Sequence, residues 1–480
     1  LHVVVVGAGK LGFEVAKRLA EKGEDVAVID RDQARLQEVN ERLDVLTICG
    51  NGASPAALQK AGVERADLLL AVTEVDEVNV IACVTAKHMA ASGGRLPAGR
   101  AGWSEPPQTP QRLSARPLCA ARIRNPDYAA NSSYARLLRQ IGVDAIINPD
   151  RLTALEVARL VRAPLASHIE FFADGRVVLV GMKVSEDAPL AAGTLREVNP
   201  SCLVAAVVRE GQLFIPDGNT RLHPGDRVYL VGKAGSLAEF RALAGLPGRS
   251  VREVTIVGAG KVGFPLAQLL LPAVKRGLRL KLIERDPARC HQLADALPGA
   301  LIICGDGERI DVLRDEGVGS SDVLAAVTSE DHTNLLAAMI AKELGTNEVI
   351  VSVSREDYVP LAERAGADAV VVPRLLAAAT ALQLLHSRHV LSLSILEEGR
   401  AQVLELVVGE GAPAAGSRLK SVSGLQDAVV GALVRNGDVV IPTGETVLMP
   451  EDRLIVFALP EAVARLQTLF EGQEAARTRL

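Results

Sequence analysis

Aromatic side chains are scarce in this chain. Phe, Tyr and Trp together make up 3% of its 480 residues, and only one residue is Trp. The hydrophobic share is nevertheless 48%. This balance favours large parallel sheets packed by Val, Leu and Ala over an aromatic-lined binding surface. The length is too great for one core and predicts roughly two to four domains.

Long apolar runs and blocks of basic residues are also missing. The net charge is −5, which argues against nucleic acid as the main partner. No apolar stretch reaches the roughly 20 residues of a membrane-spanning helix. The best candidate, Leu375 to Leu393, is interrupted by His386, Arg388 and His389 and is typical of a packing helix. Without a secretory leader before the first strand, we expect a soluble, cytoplasmic protein.

The six cysteines include no CxxC pair. Cys49 and Cys304 occupy matching positions in two Ile-Cys-Gly sequences, each at the end of a strand predicted to be buried. We interpret both as reduced thiols of the core, and the alternative is a redox sensor or a metal ligand.

Two glycine-rich turns are the most informative feature that is present. Gly7-Ala8-Gly9-Lys10-Leu11-Gly12 and Gly258-Ala259-Gly260-Lys261-Val262-Gly263 lie 251 residues apart, and each follows a β-branched run. Three further landmarks repeat at an offset of 255: Gly50 and Gly305, Thr73 and Thr328, and Asn79 and Asn334. Strands alternate with helices, the first two of which are predicted over Lys10–Glu21 and Gln33–Arg42. The pattern predicts a duplicated α/β unit with a doubly wound parallel sheet.

A second segment is duplicated at an offset of 226, from Val208 and Val434 to Arg227 and Arg453. Its short β runs around glycine turns predict a small α+β domain. The predicted fold is therefore two doubly wound, Rossmann-like parallel-sheet domains, each followed by a small α+β domain. The expected domains are residues 1–150, 163–245, 252–374 and 388–472, with a linker at 245–250.

The first repeat carries about 25 additional residues, because Tyr128 and Tyr358 differ by only 230. These residues fall at about 91–117, are rich in Pro, Gly, Arg and Ser, and include Trp103. This composition predicts a surface excursion rather than part of a core. Two interpretations remain open: a dispensable insertion or sequence artefact, and a partner-binding loop.

The glycine turns are predicted nucleotide sites. A glycine turn between strand and helix lets backbone N–H groups approach a pyrophosphate at the positive end of the helix. Gly7 makes the tight turn, Gly9 permits close approach, and Gly12 lets helix and strand pack. Lys10 and Leu11 are the other predicted site residues of the first turn. In the second turn, Gly258, Gly260 and Gly263 have the same three roles as Gly7, Gly9 and Gly12.

Asp30 and Glu284 end the second strand of their repeats. A carboxylate there accepts hydrogen bonds from both ribose hydroxyls and repels a 2′-phosphate, which favours NAD(H) or an adenosine nucleotide over NADP(H). Arg31 and Arg285 follow immediately and weaken that inference. The alternative for each carboxylate is a helix cap.

Further polar residues follow the remaining strands. Asn51 and Asp306 lie in Gly-(Asn/Asp)-Gly turns at the ligand-facing edge of the sheet, where we expect contact with the adenine side. Thr73 and Thr328 end the fourth strand and are candidates for ribose or phosphate contact, or for helix capping.

Arg122, on the fifth strand, is either a phosphate ligand or a surface arginine. Ser352 replaces it in the second copy, so the two sites should not bind identically. The eight histidines are scattered, and the segments after the sheets are small for a substrate domain. We therefore predict no catalytic residue and no metal ligand, and a sensor rather than an enzyme.

Several strings resemble tandem RCK (KTN) units and, within them, the TrkA family of Trk-system potassium uptake proteins: GAGKLG…VID, CGNGASPAAL, AVTEVDEVN, ARIRNPDY and VVREGQLFIPDGNTRLHPGDRVYLVG. The resemblance covers nearly the whole chain except about 91–117. It implies a Rossmann N-lobe and a small C-lobe, twice. Gly7, Gly9, Gly12, Asp30, Asn51 and Arg122 match the N-lobe nucleotide site of the family, as do Gly258, Gly260, Gly263, Glu284 and Asp306.

The resemblance also implies a function. It suggests a regulatory subunit on the cytoplasmic face of the inner membrane, which binds NAD(H), with ATP or ADP as further candidates, and gates an integral-membrane potassium transporter. It implies homo-oligomeric rings formed by pairing of N-lobes. The alternatives are a regulator of another ion transporter, such as a potassium efflux system, and an NAD-dependent oxidoreductase.

Overall fold

The computed structural model describes residues 1–91, 117–125, 128, 133–162, 166–198, 202–246, 251–384, 390–397 and 400–470. Residues 92–116 of the predicted excursion and residues 247–250 of the predicted linker lie outside the described ranges. The chain forms two compact units, Leu1–Leu152 with Pro373–Leu385, and Thr153–Val372 with His386–Leu480.

The first unit contains a six-stranded parallel sheet in the order β3-β2-β1-β4-β5-β6. Its strands are β1 (His2–Val6), β2 (Asp25–Asp30), β3 (Leu46–Cys49), β4 (Leu68–Ala71), β5 (Leu118–Arg122) and β6 (Ala145–Ile147). The connecting helices are α1 (Lys10–Glu21), α2 (Gln33–Arg42), α3 (Pro55–Lys60), α4 (Asp76–Ala91) and α5 (Ser133–Gln140). Every residue of β1 and β4 is buried, as expected for central strands covered on both faces.

The second unit contains a matching parallel sheet in the order β14-β13-β12-β15-β16-β17. Its strands are β12 (Glu253–Val257), β13 (Arg279–Glu284), β14 (Leu301–Cys304), β15 (Val323–Ala326), β16 (Glu348–Ser352) and β17 (Ala369–Val371). Its helices are α9 (Gly263–Val274), α10 (Pro287–Ala296), α11 (Ile310–Asp315), α12 (Asp331–Leu344) and α13 (Val359–Arg364). In each sheet the strand order reverses between the first and fourth strands, β1 and β4 or β12 and β15. This is the switch point at which ligands bind in such folds.

Two small antiparallel sheets also belong to the second unit, in the orders β10-β9-β11-β8-β7 and β18-β19-β22-β20-β21. The first has β7 (Ala166–Phe172), β8 (Val177–Lys183), β9 (Leu203–Arg209), β10 (Gln212–Phe214) and β11 (Arg227–Lys233), with α7 (Leu195–Val198) and α8 (Leu237–Leu243). The second has β18 (Val390–Leu396), β19 (Ala401–Val407), β20 (Ala428–Arg435), β21 (Asp438–Val440) and β22 (Arg453–Ala458), with α15 (Val463–Phe470).

One apolar core joins the two small sheets. It contains Phe172 and Tyr229 of the first and Phe457 of the second. The rings of Tyr229 and Phe457 lie 6.2 Å apart. At the edge of this core the Tyr229 hydroxyl donates to Glu397 Oε1 at 2.5 Å, and Arg227 Nη1 donates to the same oxygen at 3.1 Å. The two small domains therefore pack together within one chain.

The two helices that follow the parallel sheets do not simply complete the sheet before them. They are α6 (Pro149–Arg162) and α14 (Pro373–Gln383). From Thr153 onward α6 belongs to the second unit, where Arg162 Nη2 donates to the carbonyl oxygen of Leu269 on α9 at 3.4 Å. Conversely, α14 belongs to the first unit and packs on α1. Each parallel-sheet lobe thus receives its last helix from the other half of the chain.

The fold class predicted from the sequence is confirmed, and α1 and α2 have the predicted bounds. The interpretation of Cys49 and Cys304 as core thiols is wrong, because both are exposed. Each is the last residue of an edge strand, where no further strand covers it. Within the described ranges, no helix combines the length and the apolar character needed to cross a bilayer.

Candidate functional site

The first glycine turn depends on two glycines for different reasons. Gly7 follows β1 with φ +107°, and its N–H donates to the Ile29 carbonyl at 2.7 Å. A Cβ on Gly12 would lie 1.7 Å from the carbonyl oxygen of Gly7. Only glycine at position 12 therefore lets α1 start against the turn.

The residues between them point in different directions. Gly9 is the N-cap of α1 and has no side-chain cap, so its neighbouring amides lie at the positive end of the helix. Lys10 is exposed, whereas Leu11 is buried. Of these two predicted site residues, Leu11 can therefore offer a ligand only its backbone N–H.

The second turn repeats the geometry with one difference. Gly258 has φ +91°, and a Cβ on Gly263 would lie 1.8 Å from the Gly258 carbonyl oxygen. Around Gly260 nothing lies within 4 Å of an added Cβ. Helix α9 begins only at Gly263, so Lys261 and Val262 form a turn where the first copy is already helical.

The two carboxylates predicted for the ribose lie against the glycine turns. Asp30 Oδ2 accepts a hydrogen bond from Ala8 N at 2.6 Å, and its Oδ1 accepts from Asp32 N at 2.9 Å. Glu284 makes the same pair of contacts in the second copy, with Ala259 N at 3.0 Å and Asp286 N at 3.1 Å.

These carboxylates are not the caps of the helices that follow. The cap of α2 is Asp32, whose side chain accepts from Ala34 N, and the cap of α10 is Asp286, which accepts from Ala288 N. The geometry instead holds Asp30 and Glu284 against the amide of the second residue of each glycine turn, Ala8 or Ala259. That is the position from which a carboxylate can contact the ribose of a nucleotide whose phosphates lie on the turn.

Asn51 and Asp306 are exposed at the carboxyl ends of β3 and β14. Their side chains stabilise their own turns, since Asn51 Oδ1 accepts from Ala53 N and Asp306 Oδ1 accepts from Glu308 N, both at 3.0 Å. Both side chains are otherwise exposed to solvent at the carboxyl edge of their sheets.

Gly52 and Gly307, in the same turns, have a steric role that the sequence did not assign. An added Cβ would lie 2.0 Å from Val6 Cγ1 and 2.3 Å from Val257 Cγ1, respectively. These glycines therefore bring the third-strand turn against the end of the central strand, next to the glycine turn. The Gly-X-Gly spacing was the available signal.

A buried asparagine positions the end of the fourth strand. Asn79 is fully buried on α4, and its Oδ1 accepts from Thr73 N at 2.9 Å and from Thr73 Oγ1 at 2.7 Å. Its Nδ2 donates to the carbonyls of Thr73 and Arg122, at 3.0 Å and 2.8 Å. Asn334 repeats these contacts with Thr328 and Ser352.

The hydroxyls of Thr73 and Thr328 are therefore held by local hydrogen bonds, to the carbonyl oxygens of Val75 and Glu330 respectively. Thr328 does not cap α12, because the N-cap of that helix is Glu330. The two asparagines served in the sequence only as landmarks of the repeat. Their identical contacts show that Arg122 and Ser352 occupy the same position in the two sheets.

Arg122 ends β5 in a desolvated position. Its Nη1 donates weakly to the Thr73 carbonyl at 3.4 Å, and its buried Nε has no hydrogen-bond partner among the described residues. Burial, reinforced by the nearby Arg124, lowers the pKa of Arg122. A half-buried guanidinium with an unused donor favours an anionic ligand at this edge. Ser352 is buried and supplies no charge in the second copy.

The second site also gains an acidic group. Glu308, which stands where the first copy has Ala53, accepts a hydrogen bond from Thr333 Oγ1 at 2.5 Å, and His332 Nε2 lies 3.5 Å from the same carboxylate oxygen. The sequence interpretation left Glu308 and His332 outside any motif. The second site therefore lacks the arginine of the first and carries an additional carboxylate.

Comparisons with known proteins identify both kinds of lobe. The TrkA-N domain matches residues 3–94 and 254–373, and the TrkA-C domain matches residues 179–245 and 403–471. The chain is 33% identical to Trk system potassium uptake protein TrkA homolog 1 of Methanosarcina mazei, covering 98% of this chain and 100% of that protein. It is 30% identical to Trk system potassium uptake protein TrkA of Azorhizobium caulinodans, covering 98% of each.

Solved structures agree on the fold. The crystal structure of the GsuK RCK domain superposes with a TM-score of 0.58 and 19% identity, covering 98% of this chain and 94% of that one. The structure of the GsuK channel bound to NAD gives 0.58 and 18%, covering 98% and 78%. The chain has the architecture of tandem RCK domains.

Proposed function

The chain belongs to the TrkA family of Trk-system potassium uptake proteins, and from that membership we propose that it is a nucleotide-sensing regulatory subunit. It acts on the cytoplasmic face of the inner membrane, where nucleotide binding changes its conformation and thereby gates a separate integral-membrane potassium transporter. The ligands are NAD(H) and, as further candidates, ATP or ADP.

The observation that carries the proposal is the pair of matched but unlike sites. Both place a carboxylate, Asp30 or Glu284, on the amide of the second residue of a glycine turn. Only the first adds a guanidinium with a free donor, that of Arg122. Two sites of different charge can bind two nucleotides with different preferences, and a ligand shifts a two-state assembly only through such a difference in affinity.

The exposed faces of the parallel-sheet lobes support the proposal that this chain assembles into rings. Ile81 on α4 and Leu336 on α12 occupy matching positions in the repeat, and both are exposed. In the second copy Met339 and Leu361 are exposed as well, on the adjacent helices α12 and α13. We assign these faces to contacts with other molecules of this chain, since every molecule presents the same apolar position once in each of its two repeats.

Calorimetry on the purified protein tests the nucleotide sites. Titration with NADH, NAD, ATP and ADP should reveal binding. The Arg122→Ser substitution should lower the affinity for the nucleotide that binds most tightly by roughly tenfold to a hundredfold. That range corresponds to the loss of one charged hydrogen bond, about 1.5–3 kcal/mol. Ser352→Ala is the matched control. If none of the four nucleotides binds, the sensing function is wrong.

The partner is tested separately. Co-purification with a multi-helix potassium transporter, and a nucleotide-dependent change of potassium flux in vesicles that contain both proteins, would support the proposal. Co-purification with a potassium efflux system instead would favour the alternative regulator. An NAD-dependent oxidoreductase would consume NADH in the presence of a substrate. We expect no turnover, because the carboxylates held at the two turns, Asp30 and Glu284, occupy the position of the ribose rather than that of a reacting group.

A further inference from the structure

Two cysteines flank the ribose carboxylate of the second site. In the parallel pairing of β13 with β14, Cys304 lies directly beside Glu284. From the covering helix α10, Cys290 Sγ donates to the Glu284 carbonyl oxygen at 3.4 Å. Both thiols therefore approach the same residue, one from the sheet and one from the helix above it.

The two thiols differ in access to solvent. Cys304 is exposed at the end of its strand, and Cys290 is buried. Burial and the neighbouring Cys304 thiol raise the pKa of Cys290 to about 11, so Cys290 is a neutral thiol in the resting protein. An exposed thiol in contact with a buried one is the arrangement of a site of oxidation with its resolving partner.

The first copy lacks this arrangement. Cys49 is exposed and lies beside Asp30, as Cys304 lies beside Glu284. The residue at the Cys290 position is Leu36, which is buried on α2. Among the described residues, the other two thiols in mutual contact are Cys83 and Cys119, which are both fully buried and offer an oxidant no access.

We propose that Cys290 and Cys304 form a reversible disulfide when the protein meets a hydroperoxide, which makes the second nucleotide site sensitive to oxidation. The Cys304 sulfur attacks the peroxide, gains one oxygen as a sulfenic acid and releases water or an alcohol. The Cys290 sulfur then displaces that oxygen, which leaves as water with the Cys290 proton. Two thiols are oxidised and one peroxide is reduced. Disulfides of this transient kind occur in reducing compartments.

Peptide mapping of the full-length protein tests the proposal without any variant. Trypsin leaves both cysteines in one peptide, residues 290–309, because the chain between them contains no Lys or Arg. After treatment with hydrogen peroxide and alkylation of free thiols, this peptide should be lighter than its reduced form by two hydrogen atoms and carry no alkyl group. Dithiothreitol should restore both alkylation sites.

Two controls accompany the measurement. Cys304→Ser should abolish the change. The peptide of residues 43–60 contains Cys49, which has Leu36 rather than a thiol at the matching position, and it should not lose two hydrogen atoms. The proposal is overturned if peptide 290–309 remains doubly alkylated, gains oxygen without losing hydrogen, or links to a cysteine of another peptide. None of these readouts depends on nucleotide binding, so the proposed sensing function stands or falls separately.

Discussion

At the scale of single residues, the glycines of one turn meet different demands. Gly263 is required by packing, because an added Cβ would overlap the Gly258 carbonyl oxygen at 1.8 Å. Gly260 has open space around it in the folded chain, and its φ lies outside the left-handed region. Its small size can therefore matter only for the approach of a ligand.

Substitution by alanine should separate these two roles. Gly263→Ala should lower the free energy of unfolding by about 1–3 kcal/mol, the usual cost of overpacking. Gly260→Ala should leave it within about 0.5 kcal/mol and should instead weaken nucleotide binding at the second site. Urea unfolding and calorimetry on both variants measure the two effects. Unchanged nucleotide affinity in Gly260→Ala would remove the turn from the binding site.

Asp226 makes the first small domain sensitive to acid. It is almost fully buried, it pairs with Arg209 at 2.9 Å and 2.7 Å, and it accepts from His223 N at 2.8 Å. Burial alone would raise the pKa of Asp226, but the Arg209 guanidinium and the His223 amide outweigh it, and the pKa is lowered.

A carboxylate with a lowered pKa stabilises the folded state above its unfolded pKa, about 3.9, and loses that contribution as the pH falls through the folded value. Asp226→Asn should therefore lower the free energy of unfolding at pH 7 by about 1.5–3 kcal/mol, since it removes the charged partner of the Arg209 guanidinium. The variant should also lose part of its pH dependence below pH 4. Thermal unfolding between pH 7 and pH 2.5 measures both. A wild-type curve no steeper than that of the variant would contradict the assignment.

At the scale of elements, one side chain ties three of them together. Asn79 on α4 binds both the backbone and hydroxyl of Thr73 after β4 and the carbonyl of Arg122 at the end of β5. It thereby fixes the spacing between the two strand ends that border the first site. An amide is needed because the contacts require both a donor and an acceptor.

Asn79→Ala should therefore be costly. We expect a loss of about 2–4 kcal/mol in the free energy of unfolding, because buried backbone groups left without partners cost about 1–3 kcal/mol each. Asn40→Ala is the control, since Asn40 is exposed and accepts only one hydrogen bond, from Thr47 Oγ1. Equal stability of the two variants in urea would show that the tie is unimportant.

The elements also show what the sequence could and could not predict. Long amphipathic helices such as α1 and α2 and the central strands followed from periodicity and from the glycine turns. The six-residue helices α3 and α11 did not, because they are too short for a period to show. The burial of Leu11 and the exposure of Cys49 could not be predicted either, because they depend on contacts with residues distant in the sequence. The unused donor of Arg122 likewise became visible only once its surroundings were in place.

At the scale of the whole molecule, the apolar face on α12 and α13 should control assembly. Met339 is 55% exposed there, so Met339→Glu should place a charge in the contact between copies and lower the mass measured by light scattering. Met449→Glu is the control, because Met449 is 48% exposed but lies in the second small domain. An unchanged mass for Met339→Glu, or an equal drop in the control, would contradict the assignment of this face.

The exchange of α6 and α14 has a consequence for how the molecule is made. Helix α1 packs on α14, and the chain from 22 to 372 lies between them. When the ribosome has completed the first half, α1 can pack on β1 and β2, but the part of α1 that contacts α14 is still uncovered, because α14 has not yet been translated. We therefore expect the first half to complete its packing only after the second half has been made. Expressed as separate polypeptides, each half would lack a helix that only the other encodes, and the two should recover their structure only when they are synthesised together.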